Sequence, residues 1–143
     1  MGTQIIYPSA VSGTIVPPAS KSVMQRAIAI SMLANGTSHL YGYSSSNDSD
    51  AALKIAENLG AEVVVEGENV TITGGMNPKT TNLSCGEAGL GIRMFTPIAS
   101  LWREPVTLQG EGSLKTRPVD VLEHPLRQLG VTISTNNGFV PVT

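Results

Sequence analysis

Charge is scarce in this sequence. Asp, Glu, Lys and Arg make up 14% of its 143 residues, and nine cationic against eleven acidic side chains leave a net charge of −2. Without a basic excess the chain lacks the electrostatic footprint of a nucleic-acid binder, and no nucleic acid is expected as a partner. Cysteine occurs once, so there is no disulfide framework and the composition fits a reducing cytoplasm. No apolar run approaches the roughly 20 residues that a membrane span needs. The opening Met1-Gly2-Thr3-Gln4 has no basic n-region, so neither a signal peptide nor a membrane is expected. What is present is 41% hydrophobic residues, fifteen glycines and nine prolines, which suits one ordinary domain or two small lobes sharing a core. So little charge implies that much of the chain is buried or meets another surface.

The stretch Pro17-Pro18-Ala19-Ser20-Lys21-Ser22-Val23-Met24-Gln25-Arg26 puts a lysine, two serines and an arginine at the mouth of an apolar helix. Prolines are excluded from helix interiors, so the helix is expected to begin at or just after Ser20, with Ser20 as its N-cap. Lys21, Ser22 and Arg26 then lie on the first turns, near unpaired backbone N–H groups and the positive end of the helix dipole. That setting suits an anion, and phosphate above all. The helix runs through Leu33-Ala34 and stops at Asn35-Gly36. It has almost no polar face, so burial on most sides is expected.

Taken in order, Ile5-Ile6-Tyr7 and Gly13-Thr14-Ile15-Val16 read as short strands around Pro8-Ser9. After the first helix come a strand at Thr37–Tyr41, a serine-rich loop and a second helix from about Ser49 to Leu59, closed by Gly60. A hairpin at 61–65 and 69–73 turns around Gly67-Glu68. Then the order repeats. A strand at 80–83 precedes an apolar helix through Leu101, a strand at 105–109, a helix with Pro118 in its first position, and a closing hairpin around Asn136-Asn137-Gly138. Arg93 follows Arg26 by 67 residues, and Gly130 follows Gly60 by 70. Such spacing indicates an internal duplication of βαβαββ units, 11–74 and 80–143, in an α/β (α+β) fold.

Lys21-Ser22 fails as a P-loop, because Ile15 and Ser20 occupy the two glycine positions of that motif. A different resemblance holds. Ser20-Lys21-Ser22 with Arg26-Ala27 resembles the first signature of the enolpyruvyl transferases, and among them of the 5-enolpyruvylshikimate-3-phosphate synthases. Ser46-Asn47-Asp48-Ser49 is similar to their S-x-D turn. Gly86-Glu87-Ala88-Gly89-Leu90-Gly91-Ile92-Arg93 resembles their G-N-A-G-T-x-x-R loop, and Gly110–Pro118 their G-[DE]-x-x-[LM]-x-x-R-P segment. The motifs stand in the family's order and span nearly the whole chain.

The resemblance implies an inside-out α/β architecture with buried helices and sheets outside. It implies transfer of the enolpyruvyl group from phosphoenolpyruvate to the 5-hydroxyl of shikimate-3-phosphate. That reaction proceeds by addition and loss of phosphate, with no metal or organic cofactor. Lys21 would touch both phosphorylated substrates and take part in proton transfer; Ser22 and Arg26 would hold shikimate-3-phosphate. Gly89 would offer its backbone to phosphoenolpyruvate and Arg117 would clamp it. Fixed cations and amide dipoles offset the repulsion between two such anions.

The other polar residues have plainer readings. Arg93 can equally serve loop carbonyls, Asp48 and Asp50 read as helix caps or first-turn charges, His39 and His124 as structural or surface residues, and Cys85 as a small packed side chain. The UDP-N-acetylglucosamine enolpyruvyl transferases resemble the chain too, and share Arg117-Pro118-Val119-Asp120. They carry asparagine where Ser22 stands and a reactive cysteine where Gly112-Ser113-Leu114 stands. A non-catalytic anion-binding module is the remaining alternative.

Three residues depart from the family pattern: Glu87 for asparagine, Leu90 for threonine and Met94 for proline. A carboxylate beside a phosphate loop weakens binding unless something neutralises it. Family members are also longer, with two lobes of three units each. The chain is therefore expected to be part of an N-terminal lobe, inactive or nearly so by itself, with uncovered apolar surface that favours self-association.

Overall fold

The computed structural model describes residues 3–143. Its first regular element is α1 (Lys21–Leu33), which starts where the prolines end, with Ser20 Oγ accepting from the Val23 N–H at 3.4 Å. Beyond it come β1 (Thr37–Tyr41) and α2 (Asn47–Leu59), the latter capped by Ser46 and closed by Gly60 in the left-handed region at φ +119°. A hairpin of β2 (Glu62–Glu66) and β3 (Asn69–Thr73) ends the first half. The second half runs β4 (Asn82–Ser84), α3 (Gly89–Ala99), β5 (Thr107–Gln109), two short 3₁₀ turns at Gly112–Thr116 and Asp120–Leu122, α4 (Glu123–Gln128), β6 (Thr135–Asn136) and β7 (Phe139–Val142).

The two halves share a strand order. β1-β3-β2 forms one antiparallel sheet, and β5-β7-β6 recurs in the second, with β4 added parallel to β5. The segment that holds the place of β4 in the first half, Gly13–Val16, pairs with no described strand. Residues 3–20 are irregular and outward-facing, with Ile6, Val11, Ile15 and Val16 between 87 and 93% exposed. The strands expected at Ile5–Tyr7 and Gly13–Val16 are therefore not formed. A strand exists only against a partner row of backbone groups, and no described strand supplies one.

A second expectation also fails. No helix begins at Pro118. Arg117 is extended, as a residue preceding proline tends to be, and the Val119 N–H is drawn to the Gly138 carbonyl at 2.7 Å, so regular helix starts only at Glu123.

The three long helices pack against one another, α1 on α2 and α3, and α2 on α3. Their contact is filled by Ile28, Met32, Ile55, Leu59, Ile92 and Phe95, all nearly inaccessible, each worth about 1.5–3 kcal/mol of burial. Ile72, Leu83 and Leu108 join the same core from the two sheets. α1 is not buried on most sides, however. Val23, Ile30 and Leu33 remain 64%, 69% and 47% exposed along one stripe. Among the described residues, no helix is long and apolar enough to cross a membrane.

Candidate functional site

The packing of α1, α2 and α3 brings their N-termini to one place. A cleft of about 560 Å³ is lined there by Lys21, Ser22 and Gln25 of α1, Asp48 of α2, and Gly89, Leu90 and Arg93 of α3. Glu87, Ser113 and Arg117 complete it from the two neighbouring loops. Converging positive helix ends, unpaired first-turn amides and three cationic side chains create a field suited to an anion. No side chain caps α3, whose N-cap position is Ala88. Its first amides therefore face the cleft without a side-chain acceptor.

Each charged group is held in place. Lys21 Nζ lies 2.7 Å from Asp48 Oδ2, in a pair whose side chains are 60% and 20% exposed. Arg93 donates Nη1 to the Gly89 carbonyl at 2.8 Å and Nη2 to the Pro118 carbonyl at 2.9 Å. It thus serves one carbonyl of its own helix and one of the neighbouring loop, and braces α3 against the Arg117-Pro118 segment. Arg117 Nη2 donates to Ser113 Oγ at 3.1 Å. Glu87 turns toward the cleft and is paired: Oε2 accepts the Ser113 N–H at 2.7 Å. That bond, the Ser113 side chain and the nearby Arg117 guanidinium hold the Glu87 carboxyl below the usual carboxylate range.

Lys21, Ser22, Gly89 and Arg117 are brought together at this cleft. Arg26 is not among its lining residues. Its Nη1 donates to the Ser22 carbonyl one turn back at 2.9 Å. Asp50 sits apart, accepting from Tyr43 Oη and from Ser45 Oγ. His39 bonds Thr71 across the first sheet, His124 is exposed, and Met94 packs on the core. Cys85 is fully buried and its thiol is pushed up to about 12 by desolvation, which leaves it without a reactive thiolate at neutral pH.

Gln25 is the cleft residue that sequence reasoning missed. It is 1% exposed, its Oε1 has no partner, and its Nε2 reaches the Lys21 carbonyl only at 3.5 Å. The signal was an amide side chain between Met24 and Ile28 on the inward face of an apolar helix.

A second cleft of about 540 Å³ lies at the far end of α3, between Trp102, Val106, Leu126, Ile133 and Thr143. Its walls mix polar and apolar groups, and Arg103 is the only lysine or arginine among them, so it lacks the converging cations of the first.

Comparison with known proteins places the chain in a family. The family model described as EPSP synthase (3-phosphoshikimate 1-carboxyvinyltransferase) matches residues 5–143. The chain belongs to the EPSP synthase family. It is 37% identical over 132 residues to a 3-phosphoshikimate 1-carboxyvinyltransferase of Chlamydia felis, covering 90% of this chain and 30% of that protein. It is 37% identical over 127 residues to one of Methanopyrus kandleri, covering 85% and 30%. The solved EPSP synthase from Acinetobacter baumannii superimposes with a TM-score of 0.81 at 30% identity, covering 91% of this chain and 31% of that one. The chain thus spans about 30% of the length of the EPSP synthases that it matches.

Proposed function

We propose that the chain supplies one wall of the substrate site for enolpyruvyl transfer from phosphoenolpyruvate to the 5-hydroxyl of shikimate-3-phosphate, with release of phosphate. The observation that carries the proposal is the meeting of Lys21, Ser22, Gly89 and Arg117 around one cleft at three helix N-termini. In this reading Ser22 and Lys21 hold the phosphate of shikimate-3-phosphate. Arg26 joins them by turning its free nitrogens from its own helix toward the ligand. Arg117 and the amides at Gly89 hold phosphoenolpyruvate. Lys21 also lies close enough to both to move a proton as the hydroxyl adds to the enol carbon and phosphate later departs. Asp48 holds the Lys21 ammonium until an anion competes for it.

The chain is read as two βαβαββ units of a larger lobe, 11–74 and 80–143, so turnover by this chain alone should be negligible. The exposed stripe of Val23, Ile30 and Leu33 supports self-association, and a sedimentation coefficient that stays monomeric at rising concentration would count against it.

Titration calorimetry of shikimate-3-phosphate and of inorganic phosphate, on the chain and on Lys21→Ala, tests the function. Binding of shikimate-3-phosphate tighter than that of phosphate, and lost in Lys21→Ala, is the expected result. Equal response to any phosphate would make the cleft a general anion-binding module instead. Turnover comparable to a full-length synthase would refute the part-site reading.

A further inference from the structure

We propose that Glu87 is a positioning residue that latches the Arg117-bearing turn to the start of α3, and that its charge holds the anion affinity of the cleft below what its cations alone would give. The proposal rests on the reading of the cleft as a phosphate site. The 3₁₀ turn Gly112–Thr116 has Glu111 in its N-cap position, and Glu111 makes no capping bond to it. Its side chain is engaged elsewhere, accepting from Ser84 Oγ at 2.9 Å. The free N–H at the start of the turn is satisfied from another loop, by Glu87 Oε2 on Ser113 at 2.7 Å. Ser113 in turn accepts Arg117 Nη2 at 3.1 Å. Glu87, Ser113 and Arg117 therefore form one chain of contacts, and the last member faces the cleft.

The turn is shaped around the carboxylate. Gly112 has φ +46°, and a side chain there would overlap the Glu87 carboxyl group. A neutral amide carbonyl could cap Ser113 equally well, since the bond needs only an acceptor. The negative charge is thus separable from the latch. It stands among Lys21, Arg93 and Arg117 with Asp48 as the second acid, so two of the five charged groups oppose an incoming anion. The bonds to Ser113 hold the Glu87 carboxyl below the usual carboxylate range, so that charge stays in place at neutral pH.

Glu87→Gln keeps the acceptor and removes the charge; Glu87→Ala removes both. Titrating inorganic phosphate into the ¹⁵N-labelled chain and its two variants at fixed ionic strength, with the Ser113 amide exchange rate recorded, separates the two roles. Glu87→Gln should bind phosphate about threefold more tightly than the parent, with Ser113 protected as before. Glu87→Ala should exchange the Ser113 amide roughly tenfold faster and bind phosphate less tightly than Glu87→Gln, although both carry the same charge. Parent-like affinity in Glu87→Gln would overturn the role of the charge, and Glu87→Ala matching Glu87→Gln in both readouts would overturn the latch. If phosphate shifts no cleft resonance in any form, the phosphate-site reading fails and the charge role with it. The Ser113 exchange rate still decides the latch.

Discussion

One added methyl group at Gly89 should separate the site from the fold. Gly89 opens α3 without a left-handed φ, so alanine fits its backbone. Alanine is also the better helix former, by up to about 1 kcal/mol in a helix interior and less at a first position. A Cβ at Gly89 would nevertheless lie 3.2 Å from Nη1 of Arg117 and 3.2 Å from Nη1 of Arg93, tighter than ordinary van der Waals contact. Both guanidinium groups have to give by a few tenths of an ångström. Arg93 is anchored on two carbonyls, at 2.8 and 2.9 Å, whereas Arg117 is anchored on Ser113 Oγ at 3.1 Å. Arg117 therefore gives the more readily of the two.

A hydrogen bond to a charged group contributes about 1.5–3 kcal/mol, so misplacing the Arg117 contact should cost about 1.4 kcal/mol, or tenfold in phosphate Kd. Calorimetric titration of Gly89→Ala with inorganic phosphate, beside thermal unfolding by circular dichroism, checks both halves. The expected result is an affinity loss near tenfold with Tm within about 2 °C of the parent. Unchanged affinity would mean that neither guanidinium nor the Gly89 backbone touches the anion. A Tm fall above about 5 °C would mean that the methyl group disrupts α3 rather than the site.

Two further predictions concern the surroundings of the cleft. Gln25→Leu removes a buried acceptor that has no partner and keeps the volume, so it should stabilise the chain by about 1 kcal/mol in urea unfolding. A loss of stability instead would show that a bound water satisfies Gln25. The Tyr43 phenol is pushed up to about 12 from the ordinary 10 by burial first, and then by its bond to Asp50 and the charge of that carboxylate. A folded pKa above the unfolded one stabilises fully below pH 10, and the gain is lost as pH rises from 10 to about 12. Tyr43→Phe should flatten that part of the stability curve. Equal slopes for the parent and Tyr43→Phe would refute the assignment.

Local chemistry was legible in the sequence wherever one residue decides a conformation. Ser20 caps α1, Gly60 closes α2 in the left-handed region, and Asn137-Gly138 turn the last hairpin with φ +52° and +87°. The failures lie where the deciding partner is distant in sequence. Ile5–Tyr7 and Gly13–Val16 have strand composition, yet the row of backbone groups needed to pair with them is not supplied by any described strand. Pro118 has the right chemistry for a first helical position, but its carbonyl is claimed by Arg93 and the next N–H by Gly138. Gln25 was hidden because its interest lies in what it fails to bond, which spacing does not reveal.

The 67-residue offset between Arg26 and Arg93 explains why the cleft is asymmetric. Both arginines make the same contact, Nη1 to the carbonyl four residues back, at 2.9 Å on Ser22 and 2.8 Å on Gly89. At that offset Lys21 corresponds to Ala88 and Ser20 to Glu87. In the first half the serine caps its own helix and the next residue brings to the cleft a cation that Asp48 holds. In the second half the carboxylate reaches away from α3 to Ser113, so α3 keeps no side-chain cap and presents its first amides instead. The two halves thereby present different groups to the one cleft, a charged side chain from α1 and an uncapped helix end from α3.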